Sequence, residues 1–473
     1  MLLCREPEID YFRNGTKSRT AGVVSGKHHH TSQSAIPHRP PNDIDFGQPT
    51  MKPRLLFLAD NVERARFFVR VHRACQESGI DVRFLAYRKS SHGLLRSHGA
   101  PVELLSWRRS ERSNTAPDRL DQCAAESLEY LRGDVTLESL RRLAGPVCAA
   151  IESQLHRMNP THLFLWNGSQ FVERLAAAVC PPSVATRYME IGNIPGKLFI
   201  DDSGVNAASS IRRNPDRLRL YTDCEAAEYE SWKSAYWDRK LGVGVPQAKS
   251  AIRMQWERPR DWINAIAGRG IYPIQPNAMF GRFSDKWHRL RKAKPSSAAD
   301  DTMSKLKDLP STFRFLPLQV SCDTQLLLHS DVNNQAAIER AAEQSNHDGL
   351  ALVIKPHPAE TNRSAIQAVD RQITRLRSRR LKVYQTREDT AGLIQRACHV
   401  CTINSTVGLE ALIAGKPVSV YGRAFFESFI DRPDLLRRYL TRFLADADYF
   451  ADQSITPMGL ERMIDPWPQR QAA

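Results

Sequence analysis

The sequence predicts an α/β protein with two doubly wound, Rossmann-type domains facing a cleft, and three observations carry that expectation. Apolar runs of strand length alternate with stretches of helical period twice along the chain, once up to about residue 206 and again after Ser311. At 473 residues the chain is too long for one ordinary core, since a domain usually holds roughly 100 to 200 residues. The run between the two alternating regions has a different texture, basic and rich in tryptophan. In such sheets ligands sit beyond the carboxyl ends of the strands.

Residues 1–50 read as a disordered polar tail, without period and rich in Ser, Thr, Pro, His and Gly. His28–His30 within it read as solvated, and Met51 is a candidate for the true start. Residues 51–206 form the first domain: PRLLFLADN is a strand, ERARFFVRVHRACQESG a helix stopped by glycine, and DVRFLAYR and PVELLSW continue the alternation. A long helical zone then runs to about Met158, before the strands THLFLWNG and ATRYMEIGN. Residues 207–310 form a basic, Trp-rich helical insertion. From Ser210 to Pro310 there are 20 Lys or Arg against 12 Asp or Glu, and five of the eight tryptophans, Trp232, Trp237, Trp256, Trp262 and Trp287. A stretch such as GRFSDKWHRLRKAK suits a lipid headgroup layer or an anionic polymer. The alternative is a helical insertion whose tryptophans pack inward while its charges are solvated. Residues 311–440 resume the alternation through FRFLPLQV, DTQLLLHS, a helix around Asn334 to Ser345, LALVIKPHP, a basic helix, LKVYQTR, a helix near Thr390 to Ala397, HVCTINS and the strand in KPVSVYG. Residues 441–473 are a C-terminal segment.

The formal charge of +15 and pI near 9.5 predict attraction to an anionic partner without choosing one. No nucleic-acid-binding module is recognisable, so nucleic acid is not expected. Nine cysteines, an odd number without framework spacing, indicate a reduced compartment. Cys398 and Cys401 have no second pair to complete a zinc site and read as buried strand residues. No run reaches the roughly 18 apolar residues of a spanning helix. The expected location is cytoplasmic, at most peripheral on the inner face of the membrane.

Four stretches hold candidate site residues. In TINSTVGLEALIAGKPVSVYG, Ser405 or Thr406 caps a two-turn helix that Gly415 ends. Its start, following Asn404, offers unpaired N–H groups and hydroxyls as a phosphate seat, with Glu410 one turn behind at a distance suiting ribose hydroxyls. Simple capping, with Glu410 solvated or paired to Lys416, explains the same spacing. In IKPHPAE, strand period puts Lys355 and His357 on one side of a stiffened exit, where an imidazole can donate to a departing phosphate. In LPLQVSCDTQ, Asp323 follows a strand beside Gln319, Thr324 and Gln325 and reads as a base or nucleophile, or as a helix cap. In YMEIGN, Glu190 precedes the turn at Gly192 and Asn193 and should face the cleft. Asp201 and Asp202 read as structural turn residues. No Asp-x-Asp at a strand end calls for a metal.

In that chain order, EIGNIPGKLFIDDSGVNA, FLPLQVSCDTQ, KPHPAE and TINSTVGLEALIAGKPVSVYG resemble the capsule polysaccharide biosynthesis and export protein family, whose best understood members are bacterial β-Kdo transferases. The resemblance implies a GT-B-like fold, no cofactor, and CMP-Kdo as donor substrate. It implies that Lys355, His357, Asn404, Ser405, Thr406 and Glu410 hold the CMP moiety, that Asp323 is the nucleophile of a retaining transfer, and that Glu190 is the acid/base. Gln319, Gly192 and Asn193 would support them. The implied partners are a lipid-linked acceptor built on phosphatidylglycerol, an anionic membrane surface, and the capsule assembly and export machinery. Two alternatives remain: another CMP- or nucleotide-sugar transferase, of sialyltransferase type, and a non-catalytic capsule export or assembly factor.

Overall fold

Two sheets form, and the strand order within each is that of a doubly wound fold. The computed structural model describes residues 52–242, 257–271 and 303–468. The expectations for the 1–50 tail with His28–His30, for Trp256, and for the basic stretch around Trp287 lie outside the described residues.

The first sheet takes β1 (Arg54–Ala59), β2 (Asp81–Ala86), β3 (Val102–Leu104), β4 (His162–Trp166), β5 (Ala185–Ile191) and β6 (Lys197–Asp201). It also takes β12 (Ala445–Asp446) from near the other end of the chain, in the order β12-β6-β5-β4-β1-β2-β3. β1 to β5 are parallel. Helices on both faces bury β1 and β4 almost completely, and Phe57 stacks on Phe164 at 4.1 Å in the middle.

The far edge departs from the expected parallel pattern: β6 runs antiparallel to β5, and β12 antiparallel to β6. The reason is local. The Gly192 N–H donates to the Lys197 carbonyl at 2.8 Å, and a Cβ on Gly192 would lie 2.5 Å from that oxygen, so only glycine fits this tight hairpin. Asn193 in the same turn accepts from the Tyr439 hydroxyl at 2.9 Å, which fastens the hairpin to the C-terminal region.

The second sheet is wholly parallel: β11 (Val418–Val420), β10 (His399–Thr402), β7 (Phe313–Pro317), β8 (Ala351–Lys355) and β9 (Val383–Gln385), in that spatial order. From β7 the chain winds outward through β8 and β9, then crosses back to β10 and β11. The winding therefore reverses between β7 and β10, as it does between β1 and β4 in the first sheet.

The basic, Trp-rich run contributes the helix Ala226–Gly242, whose Tyr236 and Trp237 are buried in a core shared with Ile394 and Leu409 of the second sheet's helices. Trp232 is partly buried against the same core, so these tryptophans pack inward. The eight described cysteines are all free. Cys401 is buried in β10, whereas Cys398, just before the strand, is exposed, correcting the expectation that both are buried. Among the described residues no helix is long and apolar enough to cross a membrane, and no cluster of His, Cys, Asp or Glu has the geometry of a metal site.

Candidate functional site

At the second sheet's reversal, five of the sequence candidates lie on the loops leaving β7 and β10. Gln319 and Asp323 follow β7; Asn404, Ser405 and Thr406 follow β10. Gln319 and Asn404 are both buried and bond reciprocally: Gln319 Nε2 donates to Asn404 Oδ1 at 3.0 Å, and the Asn404 N–H donates to Gln319 Oε1 at 3.2 Å. Asn404 Nδ2 also donates to the carbonyls of Gln325 (2.8 Å) and His329 (3.2 Å). These two amides are committed to the protein and pin the two loops together.

Ser405 caps the helix Thr406–Ile413, its Oγ accepting the Val407 N–H at 3.3 Å, while Thr406 is exposed at the helix start. The helix ends at Gly415, whose φ of +69° places it in the left-handed region. Gly408 permits this helix to lie close to its neighbours, since a Cβ there would be 2.6 Å from Phe426 and 2.8 Å from Thr402. At this helix start the Val407 and Gly408 N–H groups are taken by Ser405, which leaves the Thr406 N–H and its exposed hydroxyl to meet an anion at the positive end of the helix.

Glu410 lies one turn further in and is buried. Lys416, the partner nearest in sequence, donates to the Gln395 carbonyl at 2.7 Å instead. Glu410 pairs through Oε1 with Lys240, at the end of the Ala226–Gly242 helix, while its Oε2 has no hydrogen-bond partner among the described residues.

The third loop leaves β8. Lys355 donates to Thr390 Oγ1 at 2.6 Å; burial lowers its pKa, against the opposing pull of Asp389, Glu388 and Glu410. His357 is exposed, yet the protein around it removes enough water to lower its pKa below the usual imidazole value; Asp323 and Glu360 oppose the shift and Lys355 adds to it. His357 and Asp323 are therefore close enough to feel each other's charge. The Ala359 N–H donates to His357 Nδ1 at 3.1 Å, so the proton of the neutral ring resides on Nε2. Glu360 closes the arrangement by accepting the Ser321 N–H at 2.6 Å, tying this loop to the one that carries Asp323. Asp323 itself caps the helix Thr324–His329, accepting the Gln325 N–H at 2.7 Å. Beside it Thr324 Oγ1 accepts from Arg132 at 3.0 Å, a residue of the first alternating region.

Glu190 belongs to a different cluster. It ends β5, accepts from Asn167 Nδ2 (3.3 Å) and from the Ile191 N–H (3.0 Å), and burial raises its pKa against the pull of Arg64. Among the described residues its hydrogen-bond partners and nearest cation all belong to the first sheet's side. Around it at the carboxyl ends of β1 and β4 stand Asp60, paired with Arg64 at 2.7 Å, and Glu173, which accepts the Trp166 and Gly168 N–H groups. Burial pushes the Glu173 carboxyl up to about 8. The structure thus brings Asp323 and Lys355 within electrostatic reach of His357, places Ser405 and Thr406 at the carboxyl end of the neighbouring strand β10, uses Gln319 and Asn404 as fasteners, puts Gly192 and Asn193 in the hairpin, and leaves Glu190 on the other sheet.

Sequence reasoning missed Lys240 and Glu360. The E of KPHPAE was in view as part of a motif, but nothing local said that it would reach Ser321. Lys240 was one of many cations in a basic run. Its signal was the spacing Tyr229, Trp232, Tyr236, Lys240, one face of a helix.

Two Rossmann-like sheets, each with its winding reversal, make this a GT-B-like α/β protein. Residues 278–429 match the family described as capsule polysaccharide biosynthesis protein. Over 257 residues it is 24% identical to the capsule polysaccharide export protein KpsS of Escherichia coli, covering 49% of this chain and 59% of that one. Over 263 residues it is 39% identical to protein FixF of Sinorhizobium fredii, covering 54% and 47% respectively. The matches thus span about half the length of these curated relatives. Among solved structures, the β-Kdo 2,7 transferase of Thermosulfurimonas dismutans KpsC is similar at 17% identity with a TM-score of 0.34, covering 59% of this chain and 71% of that one.

Proposed function

We propose that the protein is a glycosyltransferase of capsule polysaccharide biosynthesis that transfers Kdo from CMP-Kdo, with retention, to a lipid-linked acceptor. What supports this reading is that His357, Asp323 and the Ser405–Thr406 helix start follow three adjacent strands of the second sheet at their carboxyl ends, with His357 and Asp323 within electrostatic reach of each other. The helix start and Lys355 receive the CMP phosphate. His357 donates from Nε2 to a phosphate oxygen and stabilises the charge that develops as CMP departs. Asp323 attacks the anomeric carbon while its bond to CMP breaks, giving a glycosyl–aspartate. Glu190, whose raised pKa makes it the stronger base, takes the proton of the acceptor hydroxyl as that oxygen displaces Asp323, and the two inversions restore configuration. No step needs a metal, because helix dipole, hydroxyls and Lys355 supply the positive field. The acceptor, a phosphatidylglycerol-based linker, would be met at the anionic inner face of the membrane, where the basic charge favours docking.

Purified protein offered CMP-Kdo, CMP-sialic acid and UDP-sugars without acceptor should slowly hydrolyse CMP-Kdo alone. Preference for CMP-sialic acid would replace the donor but keep the transferase. A second reading, a non-catalytic export or assembly factor, draws on the name of the E. coli relative. It prevails if Asp323→Ala and His357→Ala both leave capsule production intact.

A further inference from the structure

We propose that Lys240 is a positioning residue for the donor: it holds Glu410 by one carboxylate oxygen so that the other accepts a hydroxyl of the donor's ribose. This rests on the Ser405–Thr406 helix start being a nucleotide seat. Glu410 is only 9% exposed, and among the described residues its Oε2 is buried without a hydrogen-bond partner. A buried carboxylate oxygen in that state is costly and finds a donor when one is offered. Oε1 is taken by the Lys240 ammonium, and Lys355 adds a second positive charge within electrostatic reach. A carboxylate so placed can only accept, and of the donors on a cytidine nucleotide, the ribose hydroxyls and the exocyclic amine of the base, the hydroxyls lie nearer the phosphate and so nearer a residue one turn past the helix start.

The cation is itself fixed. Lys240 donates to the Tyr236 hydroxyl at 3.3 Å and lies over its ring at 5.6 Å. Tyr229, Trp232 and Tyr236 stack along one face of the Ala226–Gly242 helix, with centroids 5.9 and 5.5 Å apart and planes within 16° and 11° of parallel. Trp237 anchors the helix in the core. The aromatic spacing in this run thus acts as a rail that delivers an ammonium to the second sheet. A freely rotating lysine would lose much of its pairing strength to side-chain entropy, and this one has already been ordered by packing.

The test is calorimetric titration of the full chain with CMP and with 2′,3′-dideoxy-CMP. Wild-type protein should prefer CMP by about tenfold or more, the effect of a hydrogen bond to a charged group. In Lys240→Met and Glu410→Gln the preference should fall below about threefold, and Lys240→Arg should restore it. Tyr236→Phe, which keeps the ring and removes the steadying hydroxyl, should give an intermediate loss and serves where Lys240→Met fails to fold. A purely structural lysine would change the melting temperature without altering the ratio. If Lys240→Met is folded and keeps the tenfold preference, the role of Lys240 is overturned and the nucleotide seat survives. If wild-type protein binds CMP without preference, the ribose contact is overturned. If it binds no CMP, the seat falls and the proposal with it.

Discussion

Gln319 and Asn404 bond to each other twice across the winding reversal of the second sheet, at 3.0 and 3.2 Å, and both amide hydrogens of Asn404 are spent on the carbonyls of Gln325 and His329. The pair joins the loop that leads to Asp323 to the one that opens the helix at Ser405.

Removing one member should cost stability and shape together. Asn404→Ala strands Gln319 Nε2 and two carbonyls in the interior, and about 1–3 kcal/mol of unfolding free energy should be lost. Urea denaturation measures it, and an unchanged midpoint would show that the pair is not what holds the loops.

Gly408→Ala tests the close packing of the helix. The added methyl meets the Phe426 ring at 2.6 Å, which overpacks the site and should cost about 1–3 kcal/mol. Combining it with Phe426→Leu should recover part of that loss, read as a non-additive term in a double-mutant cycle.

His329 provides a pH test. Burial, with Arg423, Arg212 and Arg174 adding to it, lowers its pKa to about 4. The folded value lies below the unfolded one of about 6.5, so between these two values the unfolded chain binds more protons. His329 therefore destabilises the fold increasingly as pH falls from about 6.5 towards 4. Relative to wild type, His329→Gln should gain stability over that window and show a constant difference above it. Denaturation midpoints at pH 4.5, 5.5 and 7 would reveal the trend.

His357 provides a second. Its pKa is lowered by burial, so the ring is neutral at pH 7 and donates from Nε2 without carrying charge. Turnover of CMP-Kdo should stay level between pH 7 and 8 with respect to this group, whereas a required imidazolium of ordinary pKa would lose activity steadily. His357→Ala should lower kcat by roughly 10²- to 10⁴-fold.

Much of the architecture was legible because it is written locally. The alternation of apolar runs located every strand of the second sheet except for exact ends, and Ser405 with Gly415 bounded the helix Thr406–Ile413 through capping chemistry alone. The antiparallel edge was not legible, because the hairpin at Gly192 depends on a close approach to Lys197, and the partner of β6 lies far away along the chain. The crevice was half legible. Asp323, His357 and Ser405 lie beyond strand ends as their spacing predicts, but the tasks of Asn404 and Gln319 required knowing that two loops 85 residues apart would touch. The cation beside Glu410 was misjudged for the same reason: Lys416 is near in sequence, and Lys240 is near in space.

The return of β12 to the first sheet bears on how the gene can be divided. Ala445 pairs with Leu198, and the helix Pro457–Ile464 that follows buries Leu460 and Met463 in the first sheet's core. A fragment ending at β11 would therefore strip the amino-terminal half of its cover and bare the outer side of β6, an invitation to pair with another molecule. Splitting this polypeptide at the apparent seam should yield two aggregating pieces, while co-expressing the pieces should let the distal strand find its slot and restore solubility to both.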